Sequence, residues 1–221
     1  MDRVLAIGDI HGCYKTLKSL LFKSILITKQ DKIIFLGDYV DRGPDSKKVL
    51  KLILDLIKDG FDIECLIGNH EIMLLNSIKS PIEYKNWLKY GGKETLNSFG
   101  VLHPKNIKIK YLTFLNKLKY FIELDDFLLV HGGLNFKIEN PLEDKESMPW
   151  IRNNSVNIEK IGNKRIVVGH TPHSLKDIKK SLNSDRILVD GGCVYKERED
   201  LGYLVALDLK NMDLYYRKNK E

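Results

Sequence analysis

Asp9 and His11 stand two apart in Gly8-Asp9-Ile10-His11-Gly12, and on an extended chain that spacing turns both side chains to one face and Ile10 to the other. A carboxylate and an imidazole side by side can hold a divalent cation. Further along, Asp38 and Asp41 follow Gly37, Asn69 and His70 follow Gly68, and His131 and His170 each come just after an apolar run. Any one of these histidines taken alone reads as a hydrogen-bonded core residue. Five strand-like segments that all end in metal-type side chains point instead to one shared centre. Oxygen and nitrogen donors without thiolate suit manganese or iron better than a structural zinc site. Asp9, His11, Asp38, Asn69, His131 and His170 are more donors than one ion needs when water or substrate must also bind, so a pair of ions bridged by one carboxylate is expected. Two ions about 3.5 to 4 Å apart can activate a water and clamp the oxygens of an in-line displacement at phosphorus, which is phosphoester hydrolysis.

Such residues must be brought to one edge by the elements before them. Val4 to Ile7, Lys32 to Leu36 and Ile63 to Ile67 are short apolar-rich runs, each closed by a glycine, and predict three buried strands. Between them Leu17, Leu20, Leu21 and Ile25, then Val49, Leu52, Ile53, Leu56 and Ile57, recur at helical spacing. The order is βαβαβ, hence a largely parallel sheet with helices packed on it, and in such sheets ligands gather beyond the carboxyl ends of the strands. A helical insertion is predicted over about 71–118, with segments from Glu71 to Ser98 and Tyr111 to Leu118. Strands return at Phe127 to Val130, Arg165 to Val168 and Ile187 to Val189, and Tyr203 to Leu207 with Asp213 to Tyr216 reads as a hairpin turning at Lys210-Asn211. Residues 135–163 have no clear periodicity, as expected of a functional loop.

Gly8-Asp9-Ile10-His11-Gly12, Gly37-Asp38-Tyr39-Val40-Asp41-Arg42-Gly43 and Gly68-Asn69-His70-Glu71, with His131-Gly132-Gly133 and Gly169-His170-Thr171-Pro172, resemble the signatures of the phosphoprotein phosphatase superfamily of calcineurin-like metallophosphoesterases. The segment Trp87 to Gly100 resembles its bacterial and phage branch, which holds lambda-type serine/threonine phosphatases and diadenosine tetraphosphate hydrolases. The resemblance implies an α/β fold, a β-sandwich of mixed sheets flanked by helices, over 1–221. It implies Asp9, His11 and Asp38 around one ion and Asp38, Asn69, His131 and His170 around the other. It further implies that Arg42 binds phosphate, that His70 protonates the leaving oxygen, and that Asp41 orients His70. Arg152 resembles a second phosphate arginine, a role for which Arg165 also stands in line. Asp190 to Tyr195 matches a loop that approaches the active site in the family, leaving Cys193 and Tyr195 between packing and function.

The 221 residues carry Lys+Arg 36 against Asp+Glu 30. That excess is spread as solvated lysine faces with no dense basic block, so a nucleic-acid partner is not expected. Three scattered cysteines, Cys13, Cys65 and Cys193, argue against a disulfide framework, and no apolar run reaches the ~18 residues that span a bilayer. With no room for a signal peptide after Met1, a cytoplasmic protein is expected. His103 and His173 are read as surface residues, Cys13 and Cys65 as small core residues, and Glu71 as either a first-turn helix residue or an acceptor behind the donors. For substrate the expectation is a phosphoserine or phosphothreonine protein, with phosphotyrosine beside them, cleaved with two manganese ions, iron or zinc being the alternatives. Arg42 and Arg152 suit one phosphate, while no lysine cluster suggests a polyphosphate track. The alternative is a dinucleoside polyphosphate, with Trp87, Tyr90 and Trp150 as candidate stacking rings, and the remote one is a non-catalytic scaffold.

Overall fold

The structure is a computed structural model that describes residues 3–152 and 155–221. Strands β1 (Val4–Ile7), β2 (Lys32–Phe35) and β3 (Asp62–Cys65) run parallel, and β8 (Tyr203–Asp208) and β9 (Asp213–Lys218) extend the sheet antiparallel, in the order β3-β2-β1-β8-β9. A second sheet has the order β4-β5-β6-β7, from β4 (Phe121–Glu123), β5 (Phe127–Val130), β6 (Arg165–Val168) and β7 (Arg186–Leu188). In it β5, β6 and β7 are parallel and β4 is antiparallel.

The period-two alternation of these runs divides each strand between two cores. Ala6, Ile34, Leu36, Leu129, Val167, Val205 and Leu207 pack between the sheets. Their neighbours Leu5, Ile7, Ile33, Phe35, Leu204 and Ala206 face the helices on the outer side of the first sheet. Leu128, Val130, Ile166 and Val168 face the outer side of the second, against Leu134, Met148 and Ile161. Both faces of the central strands are therefore buried, which is why they read as near-continuous apolar runs.

Helices α1 (Tyr14–Ser19), continued by a π-helical turn over Leu20–Ile25, and α2 (Ser46–Lys58) form the crossovers on the outer face. On α2 the side chains of Val49, Leu50, Ile53 and Leu56 are buried, while Ile57 is exposed. Between β3 and β4 the chain is helical but broken. It comprises α3 (Asn69–Ser77), α4 (Pro81–Trp87), a π-helical turn (Leu88–Gly92), α5 (Lys93–Phe99) and α6 (Ile109–Leu115). Pro81 cannot continue a helix from Ser77 but is suited to a first turn, and Ser80 accepts from the backbone of Ile82 to cap the new one. Gly91, at φ 101°, breaks the next.

The third strand stops at Cys65 and not at Ile67, because Leu66 pairs with Lys119 and Ile67 N–H donates to the Lys119 carbonyl. The chain thus leaves the β2 edge early, into α3. The last helix, α7 (Leu175–Ser181), packs beside β7, and the terminal hairpin forms as expected. No helix among the described residues is long and apolar enough to cross a membrane.

Candidate active site

Each parallel strand of both sheets that precedes a predicted donor points it to the same end of the sandwich. There Asp38 stands between two histidines: its Oδ2 lies 3.5 Å from His11 Nε2 and its Oδ1 3.4 Å from His131 Nε2. His131 Nε2 is also 3.2 Å from Asn69 Oδ1, and the His131 and His170 rings are 5.0 Å apart. The carbonyls of Val40 and Leu36 accept the Nδ1–H groups of His11 and His131 at 2.9 and 2.8 Å. Those bonds require a proton on each Nδ1 and leave Nε2 of each ring facing the centre.

Two clusters of donor atoms result, each within 4.8 Å: His11, Asp38 and His70, and Asp38, His131 and His170. Asp38 belongs to both. Asp9, expected with His11, is buried beside them, with both carboxylate oxygens 3.1 Å from the His170 backbone N–H. Asn69 joins the second cluster through His131.

The donor set fits divalent cations. Asp9, Asp38, Asp41, Glu71 and Asp190 are all buried here, while Arg42 and Arg152 are the arginines whose charges reach the cluster histidines. Both nitrogens of His170 and Nε2 of His70 are buried without a hydrogen-bond partner among the described residues, an expensive arrangement unless something else satisfies them. Burial opposes charge on His131, but Asp38 and Asp9 outweigh it and lift its pKa to about 10. Burial and the neighbouring His131 push His170 down to about 3. A place that forces a proton onto one imidazole and off the next is short of positive charge and rich in lone pairs.

The loops carrying these groups are strained. Of the eight described non-glycine residues with positive φ, five belong to the site: His11 (44°), Asp38 (50°), Asp41 (70°), Arg42 (67°) and His170 (66°). Such conformations cost of order 1–3 kcal/mol each and persist only where surroundings over-determine them. For Asp38 the fixing group is Glu71, fully buried, whose carboxylate accepts the backbone N–H groups of Asp38 and Tyr39 at 2.9 Å, Gly68 at 3.0 Å and Val40 at 3.3 Å. Glu71 is thus both a first-turn residue of α3 and the acceptor behind the donors. Gly68 is needed for contact: a Cβ there would lie 2.1 Å from Asp38 Oδ1.

His70 Nδ1–H donates to Asp41 Oδ2 at 2.8 Å. Sequence reasoning missed what holds Asp41. Trp87 Nε1–H donates to both its carboxylate oxygens, at 3.0 and 2.9 Å, and Thr95 Oγ1 donates to Oδ1 at 2.7 Å. The only signal was the Trp87, Gly91-Gly92 and Thr95 spacing, read for resemblance and not for contact.

Arg42 Nη1 donates to His11 Nε2 at 2.7 Å, and its guanidinium lies over the Tyr195 ring, 5.6 Å from the centroid. Tyr195 therefore borders the site, whereas Cys193 is buried and its carbonyl accepts from Asn219 Nδ2. Arg152 is exposed and reaches Thr171 Oγ1 at 3.5 Å, one residue past His170. Arg165, its rival, starts β6 at the opposite end, where its guanidinium donates to the carbonyls of Leu182 and Ser184. His103 stacks on Tyr84, and His173 is half-buried with its Nε2 enclosed, so neither is a free surface group.

Two sheets of this topology, with signature motifs on one edge, define a metal-dependent phosphoesterase frame. Residues 2–213 match the family of calcineurin-like phosphoesterases. The chain belongs to that family.

Among its relatives is the "Bis(5'-nucleosyl)-tetraphosphatase, symmetrical" of Wigglesworthia glossinidia brevipalpis, 51% identical over 131 residues, 58% of this chain and 43% of that protein. The chain thus spans less than half the length of that relative. Another is the "Bis(5'-nucleosyl)-tetraphosphatase PrpE [asymmetrical]" of Oceanobacillus iheyensis, 27% identical, covering 86% of this chain and 83% of that one. A crystal structure provisionally assigned as a diadenosine tetraphosphatase superposes with TM-score 0.72 at 21% identity, over 100% of this chain and 95% of its own. A Shewanella cold-active protein-tyrosine phosphatase follows at TM-score 0.65 and 20% identity, over 100% of this chain and 81% of its own.

These relatives overturn the expectation of a phosphoserine/phosphothreonine phosphatase, because both curated chains are named for nucleosyl tetraphosphates. The expectation weighed two arginines suited to one phosphate and a missing lysine cluster, and neither excludes a dinucleotide. Trp87, one of three rings considered for stacking, is fully buried on Asp41 and unavailable for it.

Proposed function

We propose that this chain hydrolyses dinucleoside tetraphosphates with a pair of divalent ions, manganese being the ion that best suits its donors. The observation that carries the two-ion reading is Asp38, whose two carboxylate oxygens each face a different histidine. In this reading Asp9, His11 and Asp38 hold one ion, and Asp38, Asn69, His131 and His170 hold the other. When bound, such a pair supplies a water made nucleophilic near neutral pH and positive charge against the phosphoryl oxygens. Arg42 and Arg152 bind non-bridging phosphate oxygens with their planar forks. His70, its Nδ1–H held by Asp41, turns Nε2 to the leaving oxygen and hands it a proton. The bond from phosphorus to that oxygen breaks as the water oxygen bonds to phosphorus.

The substrate class is supported by the relatives' names and by two exposed rings: Trp150, two residues before Arg152, and Tyr90, next to Gly91, whose carbonyl accepts Arg42 N–H at 3.2 Å. A nucleobase offers each an aromatic face to stack on. The test is turnover of diadenosine tetraphosphate by purified protein with and without manganese. Manganese-dependent release of ADP alone, or of AMP with ATP, is expected and also locates the cleaved bond. Turnover that ignores the dinucleotide would refute the substrate.

A further inference from the structure

We propose that Trp87 and Thr95, neither of which reaches the ion or phosphate groups, are positioning residues for the leaving-group proton, acting on His70 through Asp41. This rests on the reading of His70 as the proton donor. The Asp41 carboxylate is fully buried, and each of its oxygens accepts from two sources: Oδ2 from His70 Nδ1–H and Trp87 Nε1–H, Oδ1 from Thr95 Oγ1 and again the indole. A carboxylate with one donor could swing about its Cβ–Cγ bond. One gripped on both oxygens cannot, so the plane in which it meets the imidazole is set from outside the dyad.

Thr95 also fixes the backbone. Its Oγ1 accepts the Asp41 N–H at 2.9 Å while donating to the same residue's carboxylate. One hydroxyl thereby holds both ends of a residue in the left-handed region, a conformation that needs such support.

The segment between these two side chains is shaped for that grip. A Cβ at Gly92 would stand 2.4 Å from the Trp87 ring, and one at Gly91 would stand 2.5 Å from Arg42 N, where the Gly91 carbonyl is bonded. Filling a core requires a ring at position 87 but no indole N–H. The spacing 87, 91, 92 and 95 accordingly reads as a brace: one end holds the partner of the acid, and the middle holds the backbone of the phosphate arginine.

The experiment compares phenyl phosphate, whose leaving oxygen needs a proton, with nitrophenyl phosphate, whose leaving oxygen hardly does, both with manganese. Trp87→Phe keeps the ring and Thr95→Val keeps the volume. Each is expected to lower kcat on phenyl phosphate about tenfold, a part of the 10²–10⁴ that general acid catalysis is worth, and to leave KM and nitrophenyl phosphate turnover within about twofold. Thr95→Ser, which retains the hydroxyl, should restore the loss. A second readout needs no ions: by NMR of the metal-free protein, the His70 Nδ1–H should exchange slowly with solvent in the wild type and faster in both variants. Equal losses on the two esters, or an unchanged His70 exchange rate, would overturn the proposal. Should Trp87→Phe fail to fold, Thr95→Val carries the same comparison. Should the wild type turn over neither ester while it cleaves the dinucleotide, the exchange of the His70 proton alone decides whether the brace holds it.

Discussion

The two sheets contribute to the centre in different ways. The loops after β1, β2 and β3 are held from behind at nearly every polar atom: Glu71 takes four backbone N–H groups, Asp41 is gripped by Trp87 and Thr95, and His11 is tied to Val40. The loops after β5 and β6 are held less. His131 is anchored on Leu36, but among the described residues both nitrogens of His170 lack a partner and exposed Arg152 has one hydrogen bond, to Thr171 at 3.5 Å. The first sheet therefore supplies a preorganised half-site, and in the proposed reading the second supplies groups that gain their partners when ions and phosphate bind. Preorganisation of this kind is where catalytic groups obtain fixed geometry without reorganising during the reaction.

The largest effect is expected where the halves meet. Asp38→Asn replaces the one carboxylate common to both clusters, and turnover should fall by about three orders of magnitude or more, with both ions lost, because an amide lacks the charge that two cations share. Metal analysis of the purified variant checks it, and two ions retained would break the comparison at its hinge. Next, Glu71→Gln puts an amide N–H₂ against backbone donors in a dry site, so a stability loss of about 3 kcal/mol is expected in urea melts, from buried polar groups left unpaired. A loss within about 0.5 kcal/mol, as at an ordinary surface position, would mean the first half-site does not depend on that support.

Sequence made much of this legible, and the reason is local. Each donor sits directly after an apolar run closed by a glycine or leading into a histidine, so strand, turn and ligand type are written within about ten residues. The parallel β1 to β3, the terminal hairpin and the helical insertion follow from the same short-range patterns. What escaped depends on long-range contact. Trp87 and Thr95 reach Asp41 across 46 and 54 residues, and no periodicity marks a side chain for such a partner. Strand β4 is three residues long with one buried position, too short to alternate visibly. Substrate was misread for a related reason: it depends on groove walls drawn from exposed loops, whereas the ions are common to both substrate classes.

A smaller effect belongs to the looser half. Arg152→Ala should raise KM for diadenosine tetraphosphate about tenfold while leaving ion content at the wild-type level, as expected for one charge-assisted phosphate contact at an exposed position. Steady-state kinetics with parallel metal analysis separates the two readouts. A loss of ions in that variant would mean that the second half-site is built through Arg152 and not merely bordered by it.

The smallest effect lies away from the site, where Arg3 donates to both oxygens of Asp31 at 2.8 and 2.7 Å and fastens β1 to the chain before β2. The Arg3 hydrogen bond holds the Asp31 carboxyl down at about 2, although partial burial works against it. A depressed carboxyl pKa stabilises the fold above its unfolded value, about 4, and that contribution is lost as pH falls through about 2. Asp31→Asn should therefore lower the unfolding free energy at pH 7 by about 1 kcal/mol, the Arg3 end of the pair being partly exposed, and match the wild type below about pH 2. A gap that widened toward acid would contradict the sign.

Anomalous scattering from crystals soaked in manganese decides whether a pair of ions shares Asp38. Two peaks are predicted, one beside each oxygen of Asp38, the first bordered by Asp9 and His11 and the second by Asn69, His131 and His170. A single peak, or two peaks of which only one touches Asp38, would contradict the account.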